Sequence, residues 1–153
     1  MVFYFIPLII FNETLYIFFD FIFTLFIWKW TDTAFTDVVK GSWYEAAVNW
    51  AAANEIVNGV GNGKYAPNAD ITRQDMATML YRYINAMGLD LTDVKSDPNF
   101  KDESQIATYA KDAVHALYRL NIVNGMTETE FGPTKTAVRA QAAAIISRLL
   151  AAE

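Results

Sequence analysis

Ile56-Val57-Asn58-Gly59 returns, residue for residue, as Ile122-Val123-Asn124-Gly125. The offset of 66 residues then holds over a long stretch. Tyr65-Ala66-Pro67 faces Phe131-Gly132-Pro133, Arg73 faces Arg139, Ala77 faces Ala143 and Arg82 faces Arg148. Upstream, Trp43 faces Tyr109 and Ala47-Val48 faces Ala113-Val114. Before that the offset becomes 65, so Phe35-Thr36-Asp37 faces Phe100-Lys101-Asp102. The chain is a tandem repeat, and such units bury their apolar faces against a neighbour rather than alone.

Each copy reads as helix, long loop, helix. In the first, Ser42 and Glu45 have capping-box spacing, and Trp43, Ala47, Trp50 and Ala51 follow at helical intervals. Residues 56–70 are rich in Gly and Asn and contain Pro67, which predicts a loop, with Lys64-Tyr65-Ala66 as a short extended piece. Thr72 and Asp75 again have capping-box spacing, and Met76, Met79, Leu80 and Tyr83 make the stripe of a second helix that Gly88 stops. In the second copy a helix is expected from Tyr109 to about Leu120, with Asn121 ending it in the left-handed conformation. A loop over 122–135 precedes a closing helix over Val138–Leu150, with Ala142, Ile145, Ile146 and Leu149 facing the core. No strand-period alternation is present, so the fold class is mainly α. The expected organisation is a repeat over 35–88, a linker over 89–99 and a repeat over 100–153.

The 153 residues are enough for one domain of ordinary size. Net charge is −5, of which −4 falls on the repeats, so the surface lacks the clustered Lys and Arg that nucleic-acid binding needs. There is no Cys, which excludes disulfides, thiolate metal sites and cysteine nucleophiles.

The apolar excess is concentrated in residues 1–30, almost wholly Phe, Ile, Leu, Tyr and Val. Leu15–Trp28 is apolar except for Asp20 and Thr24, and Trp28-Lys29-Trp30 follows as an interfacial border would. Asp20 near the centre of such a span costs about 2.5–3.5 kcal/mol on insertion scales. Met1–Leu15 holds no Lys or Arg and no small-residue cleavage site is visible, which argues against a signal peptide. Two readings of the segment stand: a membrane anchor, or a mis-set start that translated A/T-rich non-coding sequence.

The ordered landmarks of each copy resemble an S-layer homology (SLH) repeat. The family's Phe-x-Asp-Val stands here as Phe35-Thr36-Asp37-Val38, and its Trp-Ala-x-x-Ala-Ile helix start is approximated by Trp43-Tyr44-Glu45-Ala46-Ala47-Val48. Gly-Ile-Val-x-Gly, Gly-x-Phe-x-Pro and Ile-Thr-Arg-Ala-Glu follow. The last two stand as Gly63-Lys64-Tyr65-Ala66-Pro67 and Ile71-Thr72-Arg73-Gln74-Asp75. The resemblance covers about residues 35–150.

What the resemblance implies is a non-catalytic anchor at the bacterial cell surface, cell wall or S-layer. SLH domains typically use three repeats in a pseudo-three-fold spindle, whose grooves bind secondary cell-wall polysaccharide, often pyruvylated. Only two copies stand here, so the spindle is partial and a third repeat or another chain is implied as partner. A pyruvate ketal presents a carboxylate, and an Arg in a helix's first turn can meet it with a bidentate pair, helped by the helix's free amides. Arg73, one residue after the cap Thr72, is placed for this, with Trp43 against a sugar face and Asp37 accepting sugar hydroxyls. Arg139, Asp102 and Gly125 are their second-copy candidates, and Gly59 brings backbone near the groove.

Departures from the pattern weaken the second copy. It reads Ala137-Val138-Arg139-Ala140-Gln141, without the Thr cap or the acid, and has Tyr109 for Trp and Thr129 for Gly. Glu55 and Asn121 replace the Gly before Ile-Val, a position where Glu fits poorly. Arg73 and Arg139 also admit a plainer role in supporting their helix starts, and Asp37 and Asp102 in capping turns.

No catalytic residue, metal site or cofactor is read from the chain. His115 has neither Cys nor a second His beside it, and no nucleophile elbow or phosphate loop is present. Asn58-Gly59-Val60-Gly61-Asn62-Gly63 lacks both the strand–helix setting of a nucleotide loop and the ordered acids of a calcium loop. Two other functions compete with the anchor: a membrane-tethered envelope structural protein, and the anchor fragment of a larger extracellular glycan-degrading enzyme.

Overall fold

The computed structural model describes residues 34–152; the apolar segment 1–30 and its two readings lie outside them. Four α-helices carry the fold: α1 (Glu45–Ala53), α2 (Arg73–Met87), α3 (Lys111–Arg119) and α4 (Arg139–Ala152). Two single 3-10 turns, Glu103–Gln105 and Thr108–Ala110, precede α3. Among the described residues there is no strand, only the antiparallel bridges Gly61–Lys64 and Thr72–Thr136. The first is all that forms of the expected extended piece.

Helix ends follow local chemistry. The Thr72 hydroxyl accepts the Asp75 amide (3.3 Å) and donates to Asp75 Oδ2 (2.5 Å), so α2 has its expected cap. Gly88 ends it at φ +64°, with Gly88 N donating to Asn85 O and Leu89 N to Ile84 O, a Schellman arrangement. Asn121 (φ +57°) ends α3 the same way, and Glu55 (φ +58°) ends α1 so, despite its Cβ.

The α1 start differs from expectation. Ser42 lies in a turn upstream, its amide on Val39 O and its carbonyl accepting from Glu45 N. Glu45 Oε2 therefore reaches Gly41 N (2.6 Å), the Ser42 hydroxyl is buried without a partner among the described residues, and the helix begins only at Glu45. Likewise Tyr109 lies in a 3-10 turn rather than in α3.

One apolar core runs through both repeats. Leu80, Leu117, Ile122 and Phe131 are fully buried in it, and α2 packs against α3 and the Thr108–Ala110 turn. The linker is drawn across α3: Val94 N and Lys95 N both donate to Arg119 O, and Arg119 pairs with Asp93 (2.9 Å) and Asp97 (2.7 Å).

Candidate functional site

Both long loops are held by the same device. Asp37 accepts the amides of Tyr65 and Ala66 (both 2.8 Å), and Asp102 accepts those of Phe131 (2.9 Å) and Gly132 (2.7 Å). The Tyr65 amide, chief among these donors, holds the Asp37 carboxyl below its ordinary pKa of 3.8. Gly59 lies under Phe35, where a Cβ would run into the Lys64 carbonyl and stand 2.6 Å from the ring. A Cβ on Gly125 would meet the Thr127 carbonyl and lie 2.7 Å from that of Glu130. These four sites, read from the sequence as sugar contacts or turn supports, shape their own loops.

Arg73 does something different. It is 4% exposed, and its side chain leaves its own repeat. Nε donates to Phe131 O (2.8 Å), Nη2 donates to Asn124 O (2.7 Å), and the guanidinium lies 4.8 Å from the centroid of the Phe131 ring. Burial lowers its pKa, and the nearby charge of Asp102 partly offsets this. The first amides of α2, expected to be free for a ligand, are also taken. Arg73 N donates to Lys135 O (2.9 Å) and Gln74 N to Pro133 O (3.1 Å), while Ala137 N returns a bond to Ile71 O (2.9 Å). The reason is simple: the second loop brings unpaired carbonyls to a helix end that needs acceptors.

Gln74 and Tyr109 complete this joint. Gln74 Oε1 accepts Ala107 N (3.0 Å), and the Tyr109 hydroxyl donates to Asp75 Oδ1 (2.6 Å). Enclosure of that hydroxyl, then its bond to Asp75, push its pKa up to about 12, though 57% of Tyr109 remains exposed. The sequence reading missed Gln74; its one signal is an amide where the family pattern has Ala.

It also missed Lys95. Lys95 Nζ lies over the Tyr118 ring (4.9 Å) and donates to Asn124 Oδ1 (2.8 Å). Two cations, Arg73 and Lys95, thus converge on two oxygens of Asn124 at the mouth of the joint. No repeat landmark marks Lys95, because it belongs to the linker.

The remaining candidates are open. Trp43 is 54% exposed and meets Tyr44 edge-on at 5.2 Å between centroids. Arg139 is only half-buried at the start of α4, where Gln141 Oε1 accepts the Val138 amide (3.2 Å) in place of a Thr cap. His115 lies between Glu103 (3.1 Å) and Asp97 (4.0 Å), and no group fit to hold a metal occurs among the described residues.

Fold and joint together define a tandem helical-repeat module whose units lock by a helix start inserted against the next unit's loop. The S-layer homology domain family matches residues 34–77 and 99–143, more than half of the chain, and the chain belongs to that family. It is 39% identical over 109 residues to an endoglucanase of Bacillus sp. (strain KSM-635), covering 67% of this chain and 12% of the enzyme. It is 33% identical over 111 residues to an S-layer protein of Bacillus thuringiensis subsp. finitimus, covering 71% of this chain and 13% of that one. A cellulosome-anchoring protein of Acetivibrio thermocellus is 26% identical over 124 residues, 80% of this chain and 27% of that protein. The chain therefore spans only a small part of these relatives. Family membership assigns it to the bacterial cell surface, cell wall or S-layer as an anchoring module of a non-catalytic kind.

Proposed function

We propose that the two repeats, 35–88 and 100–153, hold secondary cell-wall polysaccharide, with a pyruvate ketal as the favoured group, at the inter-repeat joint beside Arg73. The observation that carries this reading is the meeting of Arg73 and Lys95 on Asn124 in an otherwise acidic chain. Two cations on aromatic faces at one residue make a local site for a carboxylate, which net charge alone disfavours. Arg73 sets the geometry from within, Lys95 supplies the more accessible charge, and Thr72 and the backbone near Gly125 frame the approach, while Trp43 stands exposed at the start of the first repeat. Asp37, Asp102 and Gly59 contribute by fixing loop shape. Arg139 has the same potential once a third repeat or another chain covers it. No cofactor and no chemistry on the glycan are needed for this role.

The test is co-sedimentation of the full chain, kept in mild non-ionic detergent, with purified Gram-positive cell-wall sacculi. It is run before and after chemical removal of the secondary polymer. Arg73→Ala is a poor probe because it opens the joint; Lys95→Ala is the better one. Binding is expected to fall with polymer removal and with Lys95→Ala. Equal binding to stripped sacculi sinks the proposal.

A second reading draws support from the endoglucanase match, which covers 12% of that enzyme. In it, the chain corresponds to the anchor portion of a larger extracellular glycan-degrading protein. Recovering a longer translation product with antibody to these repeats decides between the two.

A further inference from the structure

Lys111, His115 and Arg119 follow one another at four-residue spacing on α3, so they share one face of that helix. The acids opposite come from two other elements. Lys111 Nζ lies 3.8 Å from Glu103 Oε1, in the 3-10 turn before the helix. His115 Nε2 lies 3.1 Å from both Glu103 carboxylate oxygens, and its Nδ1 lies 4.0 Å from Asp97 Oδ1 of the linker. Arg119 holds Asp97 (2.7 Å) and Asp93 (2.9 Å). Asp112, three residues before His115 on the same helix, adds an exposed negative charge.

The first repeat lacks this row. At the offset of 66 the three positions read Glu45, Asn49 and Ala53. Asn49 Oδ1 accepts Ala34 N (3.1 Å), so this helix position ties down the chain that enters each repeat. The first repeat does it with a buried amide, which has no charge to change; the second does it with a part-buried imidazole. Three carboxylates, Asp93, Asp97 and Glu103, face two permanent cations, Lys111 and Arg119. A neutral imidazole has one N–H, so in either tautomer one of its nitrogens turns a lone pair to a carboxylate. A second proton makes both nitrogens donors and supplies the third cation. With one histidine and no cysteine in the sequence, imidazole is the chain's one side-chain type that ordinarily changes charge between about pH 5 and pH 8.

We propose that His115 is a proton-operated tie for the linker: the imidazolium holds Asp97, and with it residues 93–97, against α3, and the neutral ring holds them less firmly. The added bond is present on the acid side and is lost as pH rises. Lys95 lies two residues before Asp97 on the same docked stretch, so the cation that meets Asn124 is steadied in acid and loosened in base. The docking needs no ligand, so it stands or falls apart from the polysaccharide reading.

Two amides report the docking directly, because Val94 N and Lys95 N both donate to Arg119 O. Ile122 N, which donates to Leu117 O in the buried core, serves as the internal reference. Hydrogen exchange of these three amides is followed by NMR on the full chain in mild non-ionic detergent at low ionic strength, at about pH 5 and about pH 8. Exchange is expressed as protection, which divides out the intrinsic effect of pH. Protection of Val94 and Lys95 relative to Ile122 should fall about two- to fivefold on going to the higher pH, the worth of one part-exposed ion pair. In His115→Gln the amide keeps a donor for Glu103 but cannot gain a charge, so the ratio should not change with pH. Asp97→Asn, a change at an exposed linker position that leaves the imidazole in place, should remove the pH dependence as well. A wild-type ratio that is flat with pH overturns the proposal. So does a fall of the same size in His115→Gln, or one that survives in Asp97→Asn, which would leave His115 acting on Glu103 without tying the linker.

Discussion

The two repeats share a fold but not a situation. Arg73 is buried with its guanidinium on two carbonyls and a ring of the other repeat, while Arg139, at the same place in its own repeat, is half-exposed without a bonded acceptor among the described residues. Pro133 is sealed and Pro67 is not. The residue types match, so the motif alone does not decide what the arginine does. The neighbour decides it. An arginine at a helix start becomes a tie when a loop with unpaired carbonyls is pressed against it, and stays a loose cation otherwise.

The sharpest way to break the contrast is to remove each arginine in turn. Arg73→Ala leaves the buried Phe131 carbonyl and the part-buried Asn124 carbonyl unpaired and ends the ring contact, so a loss of about 3 kcal/mol is expected. Arg139→Ala, a half-exposed change, should cost within about 0.5 kcal/mol. Urea unfolding followed by circular dichroism reads both; equal losses would show that the joint is not what stabilises the pair.

Next come the loop glycines. Gly59→Ala drives a methyl into the Lys64 carbonyl at φ +70°, adding backbone strain to overpacking, for about 2–4 kcal/mol. Gly125→Ala meets carbonyls without a positive φ and should cost about 1–3 kcal/mol. Comparable melting temperatures for wild type and both variants would contradict the close approach of backbone at these turns.

A smaller effect, opposite in sign, is expected at the helix ends. Glu55 adopts φ +58° with a Cβ, as Asn121 adopts +57° with a side chain better suited to it. Glu55→Gly should stabilise by up to about 1 kcal/mol, and Asn121→Gly by less. A loss at Glu55 would mean that its side chain has a use beyond ending the helix.

The smallest is a pH effect at Asp37. Its folded pKa lies below the ordinary 3.8, so its contribution is present above that value and is lost as pH falls through the folded pKa. The stability gap between wild type and Asp37→Asn should therefore narrow as pH drops from about 4 towards 2. A gap that is flat across this window would detach the carboxylate charge from loop support.

Much of the fold was legible in the residues. The 66-residue offset located both units, and the Thr72 cap, the Gly88 stop and the left-handed Asn121 stand as the local chemistry indicated. The Ser42–Glu45 pairing did not form, because the same spacing also suits a turn, and the turn left Glu45 nearer to Gly41. The candidate site was less legible. Local pattern put Arg73 at a helix start but said nothing of what faces it. Gln74 and Lys95 act across 33 and 29 residues, on Ala107 and Asn124, in contacts no periodicity encodes. The free helix amides were expected from one repeat considered alone, and it is the second repeat that occupies them.

The linker has a mechanical consequence for a surface anchor. Residues 89–99, if slack, would extend by roughly 40 Å under tension before either repeat felt the load. Instead, Val94 and Lys95 are bonded to the Arg119 carbonyl, and Asp93 and Asp97 to its guanidinium. A pull on one repeat is therefore transmitted directly to α3 and, through Arg73, to the second loop. The pair resists drag as a stiff coupling rather than as two beads on a tether.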